Sequence, residues 1–515
     1  MIHFAVNRGL YSYKPGDVEK PSADLATGEP EISADRKTIT VRMRPGVRYA
    51  PPVDREVTSA DVKYGFERAF SQAVASPYAT VYFSDIVGAP SAPTKRPPHI
   101  SGIETPDDQT IVFKLRTPSA ALISQALAMP ISTPVPEEYA RQFDAKTPST
   151  YDGYAAFTGP YMIRNTADGK LVGRKPGRLI ELVRNPNWDA RTDYRPAYVD
   201  AITVEEGNDD ANVAMRRVLN GNGLVQGDGA TPAGVLARAV ERTPEQVALV
   251  PGGQYRMVSM NTTIKPFDDV NVRKAVIAGF DRNAMRLTRG GASVGDIATH
   301  FLPPDFPGFE EAGGMKGPGV DFLRNPKGDI RLAAEYMKKA GYPSGRYTGD
   351  EELLMVATNA DPGRKTAEVA QRQFEKLGFK VKFRLVPQDT LYTRFCNVPA
   401  ADVAVCPNVG FVKDFYDPQS LLDPVFNGNN ILQQNNSNWS EIDDPRINDA
   451  MEKASALPPG PERIKAWGEI DKMVVEQAAA IPWLWDKLPT VQSKDVRGVI
   501  NDYNTSWDLS FTSLK

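Results

Sequence analysis

The stretch from Leu353 to Val386 constrains this chain more than any other. LLMVAT (Leu353–Thr358) is a short apolar run of the kind that fills a strand buried on both faces. In TAEVAQRQFEKLGF, Ala367, Ala370, Phe374 and Leu377 recur at helical spacing, and Gly378 ends the pattern. KVKFRLV then alternates as a strand does. Strand, helix and strand in so few residues make a right-handed βαβ unit, which predicts parallel strands and an α/β fold.

The remaining chain supplies more material than one domain needs. Its 515 residues predict two to four domains. SADRKTITVRMRPG (Ser33–Gly46) and TPDDQTIVFKLRTP (Thr105–Pro118) echo each other, with Ile39, Val41 and Met43 on one strand face and Ile111, Phe113 and Leu115 on another. Between them, Thr58 or Ser59 caps a helix that carries Val62, Phe66 and Phe70. LIELVR (Leu179–Arg184) and AITVEE (Ala201–Glu206) read as strands, and Ala211–Gly221 as a helix. QYRMVSMNT (Gln254–Thr262) reads as a strand entering the helical pattern VNVRKAVIAGFDRNAMRL. Two helices, about 446–457 and 462–479, precede the strand candidate WLWDKLPTVQ. The 43 prolines, about 8% against a usual 5%, belong to loops and crossovers.

Charge and motif absences narrow the function. Lys plus Arg is 61 against 64 acids, a net charge of −3, so neither nucleic acid nor an anionic membrane is an expected partner. His3, His99 and His300 lie far apart in sequence, so no metal centre is expected. There is no GxxxxGK[ST], GxSxG or HExxH, so no catalytic residue and no cofactor is nominated, although acids are numerous enough to leave a carboxylate pair open. GNGLVQGDG (Gly221–Gly229) misses dinucleotide spacing and reads as a loop. The uncharged stretch Thr117–Pro136 is broken by four prolines and is no spanning helix. The first residues lack a signal peptide's apolar core, which taken literally points to the cytoplasm.

Cys406–Phe426, CPNVGFVKDFYDPQSLLDPVF, carries the most chemistry. Asp414 stands among Phe411, Phe415 and Tyr416 after the strand-like ADVAV. A carboxylate with aromatic walls at a strand end suits a ligand's ammonium group. Helix capping is the competing role, but Asp417-Pro418 fits that task as N-cap and N1.

Seven segments in order resemble the extracytoplasmic solute-binding proteins of peptide, dipeptide and nickel ABC transporters (solute-binding family 5). They are VTSADVKYGFERAF, TIVFKLRTP with PVPEEY, FTGPYMI, ELVRNPNWD, MNTTIKPFDDVNVRKAVIAGFDRNAM, AAEYMKKAGYPSG and GFVKDFYDP. Together they run nearly end to end, in the style of an actinobacterial member. The resemblance implies an α/β, two-lobed, periplasmic-binding-protein-like fold of type II with an extra α+β subdomain in lobe one. It assigns residues 10–135 to that subdomain, 136–250 to the lobe-one core, 251–478 to lobe two and 479–515 to a C-terminal return to lobe one. Closure on a ligand is then expected about crossovers near Pro251 and Ala478.

The same resemblance supplies site residues. Gly410-Phe411-Val412-Lys413-Asp414 matches the family's GWxxD-like segment, whose backbone pairs with a peptide and whose Asp takes the amino group; Phe411 replaces the usual Trp, and Phe415 follows. Arg364, in ATNADPGRKTAE, matches an arginine that meets a ligand carboxylate, with an ordinary exposed first-turn arginine as the alternative. Tyr78 and Tyr82 match a cleft-facing region, with plain core tyrosines as the alternative. In an exported family the even pair Cys396 and Cys406 is expected to form a disulfide. The implied protein is monomeric, has no enzymatic activity, and delivers a peptide-like solute to ABC permease subunits. A metal chelate, siderophore or sugar is the alternative cargo, and a secreted hydrolase the alternative class. Family members begin with an export signal, often a lipoprotein one, and a first strand; Met1 falls roughly where that strand should have ended. A miscalled start or a fragment is therefore expected, with extracytoplasmic localisation taken from the family.

Overall fold

A computed structural model describes residues 1–207, 210–227 and 229–515. Asp228, inside the glycine-rich stretch read as a loop, lies outside the described residues. The chain forms two compact units, one joining Met1–Asn208 to Gln492–Lys515 and the other Asp209–Val491.

In the first unit the two echoing segments become partners. Strands β1 (Glu31–Ile32), β2 (Thr38–Arg42), β3 (Ile103–Asp107) and β4 (Thr110–Lys114) make one antiparallel sheet, ordered β1-β2-β4-β3. Ile39 lies opposite Phe113 and Val41 opposite Ile111, which puts both apolar faces on one side. Helix α1 (Ser59–Ala69) packs there, with Phe66 edge-on to Phe113 at 5.2 Å. Its start is fixed by Asp61, whose Oδ2 accepts the Thr58 N–H at 2.9 Å. Arg68, near its other end, grips Asp144 through two hydrogen bonds of 2.8 and 2.7 Å, and Tyr64 adds a third. Helix α2 (Pro77–Phe83) follows. A second sheet runs β7 (Ala201–Glu205), β6 (Leu179–Arg184), β5 (Tyr161–Ile163). The chain's end is built into this unit: Asn501 donates to the Tyr13 carbonyl at 2.7 Å, and Tyr503 stacks on Tyr13.

The second unit is organised around a six-stranded mixed sheet. Its strands are β8 (Val247–Met260), β9 (Gly295–Asp296), β10 (Glu352–Thr358), β11 (Lys380–Val386), β12 (Val405–Val412) and β13 (Ala480–Val491), in the order β9-β13-β8-β12-β10-β11. The βαβ reading holds: β10 and β11 pair in parallel from Glu352↔Lys380 to Thr358↔Val386, joined by helix α6 (Gly363–Lys376). Lys380, Lys382 and Arg384 occupy alternate positions of β11, the outermost strand, which discourages pairing with another chain. The core holds Tyr255, Met257, Val356, Phe374, Trp467 and Trp483, each no more than 1% exposed. Burying one such side chain contributes about 1.5–3 kcal/mol.

Two readings are corrected here. The helical pattern after the Gln254 strand is two helices, α4 (Val270–Gly279) and α5 (Arg282–Arg289). Phe280 is extended, and Asp281 restarts the helix by accepting the Ala284 N–H at 2.8 Å. The chain crosses between units at 208/209 and 491/492, not near Pro251 and Ala478. The cause is strand pairing: β8 begins at Val247 and pairs with β13 from Val247↔Val491 to Ser259↔Ala480, so both expected crossovers fall inside the second unit. Residues 480–491 accordingly belong to that unit, and the return to the first begins at Gln492.

Candidate functional site

The GFVKDFYDP segment leaves β12 beside a kink in β8. Pro251 pairs with Lys487 and Tyr255 with Trp485, so three residues of β8 stand against Asp486 alone. Gly253 takes a positive φ of 51° within this bulge, and its carbonyl accepts the Lys413 N–H at 3.1 Å. Gly410 has its own reason to be glycine: a Cβ there would stand 2.6 Å from the Tyr255 carbonyl oxygen of the paired strand. The motif's first residue is thus set by strand approach.

Beyond Gly410 the segment alternates between core and surface. Phe411 is half-buried, with its ring 6.2 Å from Trp439, and the Trp439 indole donates to Asn397 at 2.7 Å. Val412 is exposed, Asp414 half-buried and Phe415 fully buried. Ser420 holds the Phe415 carbonyl at 2.7 Å, and Tyr416 reaches the Asp305 carbonyl at 2.9 Å. The Tyr255 phenol is pushed well above its ordinary pKa, first by burial, then by the charges of Asp471 and Asp414.

Asp417 has a different life. Its Oδ1 accepts the Gln419 N–H at 2.9 Å at the head of helix α7 (Gln419–Phe426), and its carboxylate is gripped by Arg463 at 2.8 and 3.0 Å. Arg463 lies in helix α9 (Pro461–Glu476), is 1% exposed, and also binds Gln419 and the Ala454 carbonyl. Asp417 therefore fastens the loop one residue ahead of the helix N-cap, which is Pro418 and not Asp417 as expected, and it adds a buried ion pair that the sequence did not reveal.

The other nominated residues are placed as follows. Arg364 lies in the first turn of α6, one third exposed, with its guanidinium on Asp361 at 3.1 Å and Glu368 at 2.8 Å. That turn adjoins β12, because a Cβ on Gly363 would meet the Asn408 amide at 3.2 Å. Tyr78 and Tyr82 belong to the first unit, on α2, with parallel rings 6.3 Å apart; Tyr82 is buried and Tyr78 half-buried. Cys396 and Cys406 form a disulfide with their Cα atoms 6.2 Å apart, which ties the turn before β12 to that strand's second residue. Sequence reasoning missed Gln254, Arg256, Arg289 and Asp486, a polar group at the β8 kink. Its one signal was an arginine inside the strand pattern QYRMVSM.

A large mixed sheet with crossover helices ends here in a polar, kinked strand, the kind of place where α/β sheets bind ligands. Residues 20–433 match the model of the bacterial extracellular solute-binding proteins, family 5, and the chain belongs to that family. It is 24% identical over 485 residues to the dipeptide-binding protein of Escherichia coli, covering 92% of this chain and 82% of that one. It is 24% identical over 490 residues to heme-binding protein A of Haemophilus influenzae, covering 92% and 80%. Among solved structures, clavulanic acid biosynthesis oligopeptide binding protein 2 superposes with a TM-score of 0.80 at 25% identity, covering all of this chain and 90% of that one. The murein tripeptide binding protein MppA of Escherichia coli gives 0.81 at 19%, covering 100% and 93%. The expected α/β periplasmic-binding-protein fold is borne out, and no helix among the described residues is long and apolar enough to cross a membrane.

Proposed function

We propose that this protein is a non-enzymatic, extracytoplasmic receptor that captures a peptide-like solute and passes it to the permease of an ABC importer. One observation carries the reading. Within a single four-residue window, Asp417 is sealed onto Arg463 and a helix start, while Asp414, half-buried two residues past the strand end, is the Asp of the segment that resembles the family's amine-binding GWxxD. Gly410 to Val412 supply strand backbone for the peptide, with the half-buried Phe411 as the apolar wall, whereas Phe415 is fully buried. Dipeptide- and oligopeptide-binding names among the relatives support the same cargo. Arg364, already paired with two acids, is a secondary candidate, and Tyr78 and Tyr82 are candidates on the first unit. A periplasmic or lipid-anchored location and a monomeric state accompany the reading.

Heme-binding protein A among the relatives favours one second reading, a non-peptide solute held in the same fold. A thermal-shift screen with dipeptides, tripeptides, heme, nickel chelates, siderophores and sugars decides between them. A ligand at one hundred times its Kd should add about 2.7 kcal/mol of stability. Stabilisation by heme or a chelate and by no peptide would replace the first reading with the second.

A further inference from the structure

A hollow of about 80 Å³ opens in the second unit between Thr299 and the glycine-rich loop that carries Lys316 and Gly319. About 10–15 Å³ admits one water, so this hollow takes a group the size of a tetrahedral oxyanion. Its polar side chains are Thr299, Lys316 and Arg324, and no acid lines it. Lys316 and Arg324 are exposed, and neither has an ion-pair partner among the described residues. Asp321, the acid that follows Val320, takes the Tyr336 hydroxyl at 2.7 Å instead, and Glu310, beside Gly314, lies outside the lining.

The loop is pinned from beneath. The Gly314 carbonyl accepts the Gly317 N–H at 3.0 Å, the Thr299 hydroxyl at 3.3 Å and His300 Nε2 at 3.1 Å. His300 is fully buried, and its Nδ1 stands 2.9 Å from the Asp471 carboxylate on α9. Gly317 takes a φ of 74° and passes so close to Thr299 that a Cβ would stand 2.7 Å from that residue's own Cβ. Gly319 takes a φ of 84°, and the N–H groups of Gly319 and Val320 donate to no described residue. Successive backbone N–H groups turned by such a residue make a concavity of the kind in which proteins hold anions. A rigid loop thus aims two cations and two free amides at one small space.

We propose that this hollow binds a free tetrahedral oxyanion, sulfate or phosphate, held by Lys316, Arg324 and the Gly319 and Val320 N–H groups. A guanidinium fork spans two oxygens of such an ion, and an ammonium adds a point charge. The bound ion joins the glycine loop to the turn that carries Arg324. The hollow shares no residue with the GFVKDFYDP segment, so its occupancy does not depend on which solute the protein carries.

Calorimetry with sulfate and with phosphate, each against chloride at equal ionic strength, tests this. Melting temperatures do not decide it, because both ions also stabilise proteins by exclusion from their surface. The parent should bind at least one of the two ions. Lys316→Gln and Arg324→Gln should each weaken that binding about ten-fold, the scale of one charge-assisted hydrogen bond. Lys382→Gln, which removes an exposed cation from β11, should leave it unchanged. In crystals soaked with selenate, a heavier analogue of sulfate, an anomalous peak should stand within hydrogen-bond reach of Lys316 and Arg324. No binding beyond that of chloride, equal affinity in the parent and both pocket variants, an equal loss in Lys382→Gln, or selenate found only elsewhere would each overturn the assignment.

Discussion

At the scale of single residues, Asp414 and Asp417 separate binding from architecture. Removing Asp417 strands a buried guanidinium, so Asp417→Ala should lower stability by about 3–5 kcal/mol in urea titrations. That exceeds the roughly 1 kcal/mol of a cap alone. Asp414→Ala should weaken peptide binding about thirty-fold or more by calorimetry. The reverse pattern would exchange their roles. A third acid sets an acid limit. Burial would raise the pKa of Asp144, but the hydrogen bonds and charge of Arg68, with Ser149 and Tyr64, hold it below its ordinary 3.8. A depressed carboxylate contributes fully above its unfolded value and loses that contribution as pH falls through the folded one. Between pH 5 and 3 the parent's urea midpoint should therefore fall more steeply than that of Asp144→Asn, and parallel curves would contradict the account.

At the scale of elements, the strands β8 and β12 set what the site can tolerate. Gly410→Ala pushes a Cβ into the Tyr255 carbonyl, and such overpacking typically costs about 1–3 kcal/mol. The variant should melt earlier and bind peptide more weakly; a neutral outcome in both would mean that the strands separate easily. What was legible in the sequence follows from local pattern. The strand faces that carry Ile39 and Phe113, the βαβ unit, the helix start at Thr58 or Ser59 and the bonded cysteines all rest on residues whose spacing or family context is enough. The β8 kink was not legible, because VALVPGG ahead of Gln254 carries Pro and two glycines and reads as a loop. Pairing with β13 overrides that local preference. The Arg256–Asp486 pair escaped for a related reason: the two residues are 230 positions apart, and no spacing rule joins them.

At the scale of the whole molecule, each unit has its own core and the chain passes between them twice. Domains of this kind unfold in steps unless something couples them, so a single two-state transition is not the default. The calorimetric enthalpy of the ligand-free protein should exceed its van't Hoff value, and equality of the two would show that the units melt as one. The route of the chain has a consequence for its synthesis. Gln492–Lys515 completes the first unit, and β13 flanks β8 in the second, so both wait for residues made after Met260 by more than two hundred positions. At ribosomal speeds of about 5–20 residues per second, the first unit waits roughly 15–60 s between its own residue 208 and the segment that finishes it. During that interval the first unit lacks the segment that Asn501 and Tyr503 dock on Tyr13, and β8 lacks its β13 partner. A ribosome stalled before Ala480 would release a product with neither unit complete, and proteolysis would recognise it as unfinished.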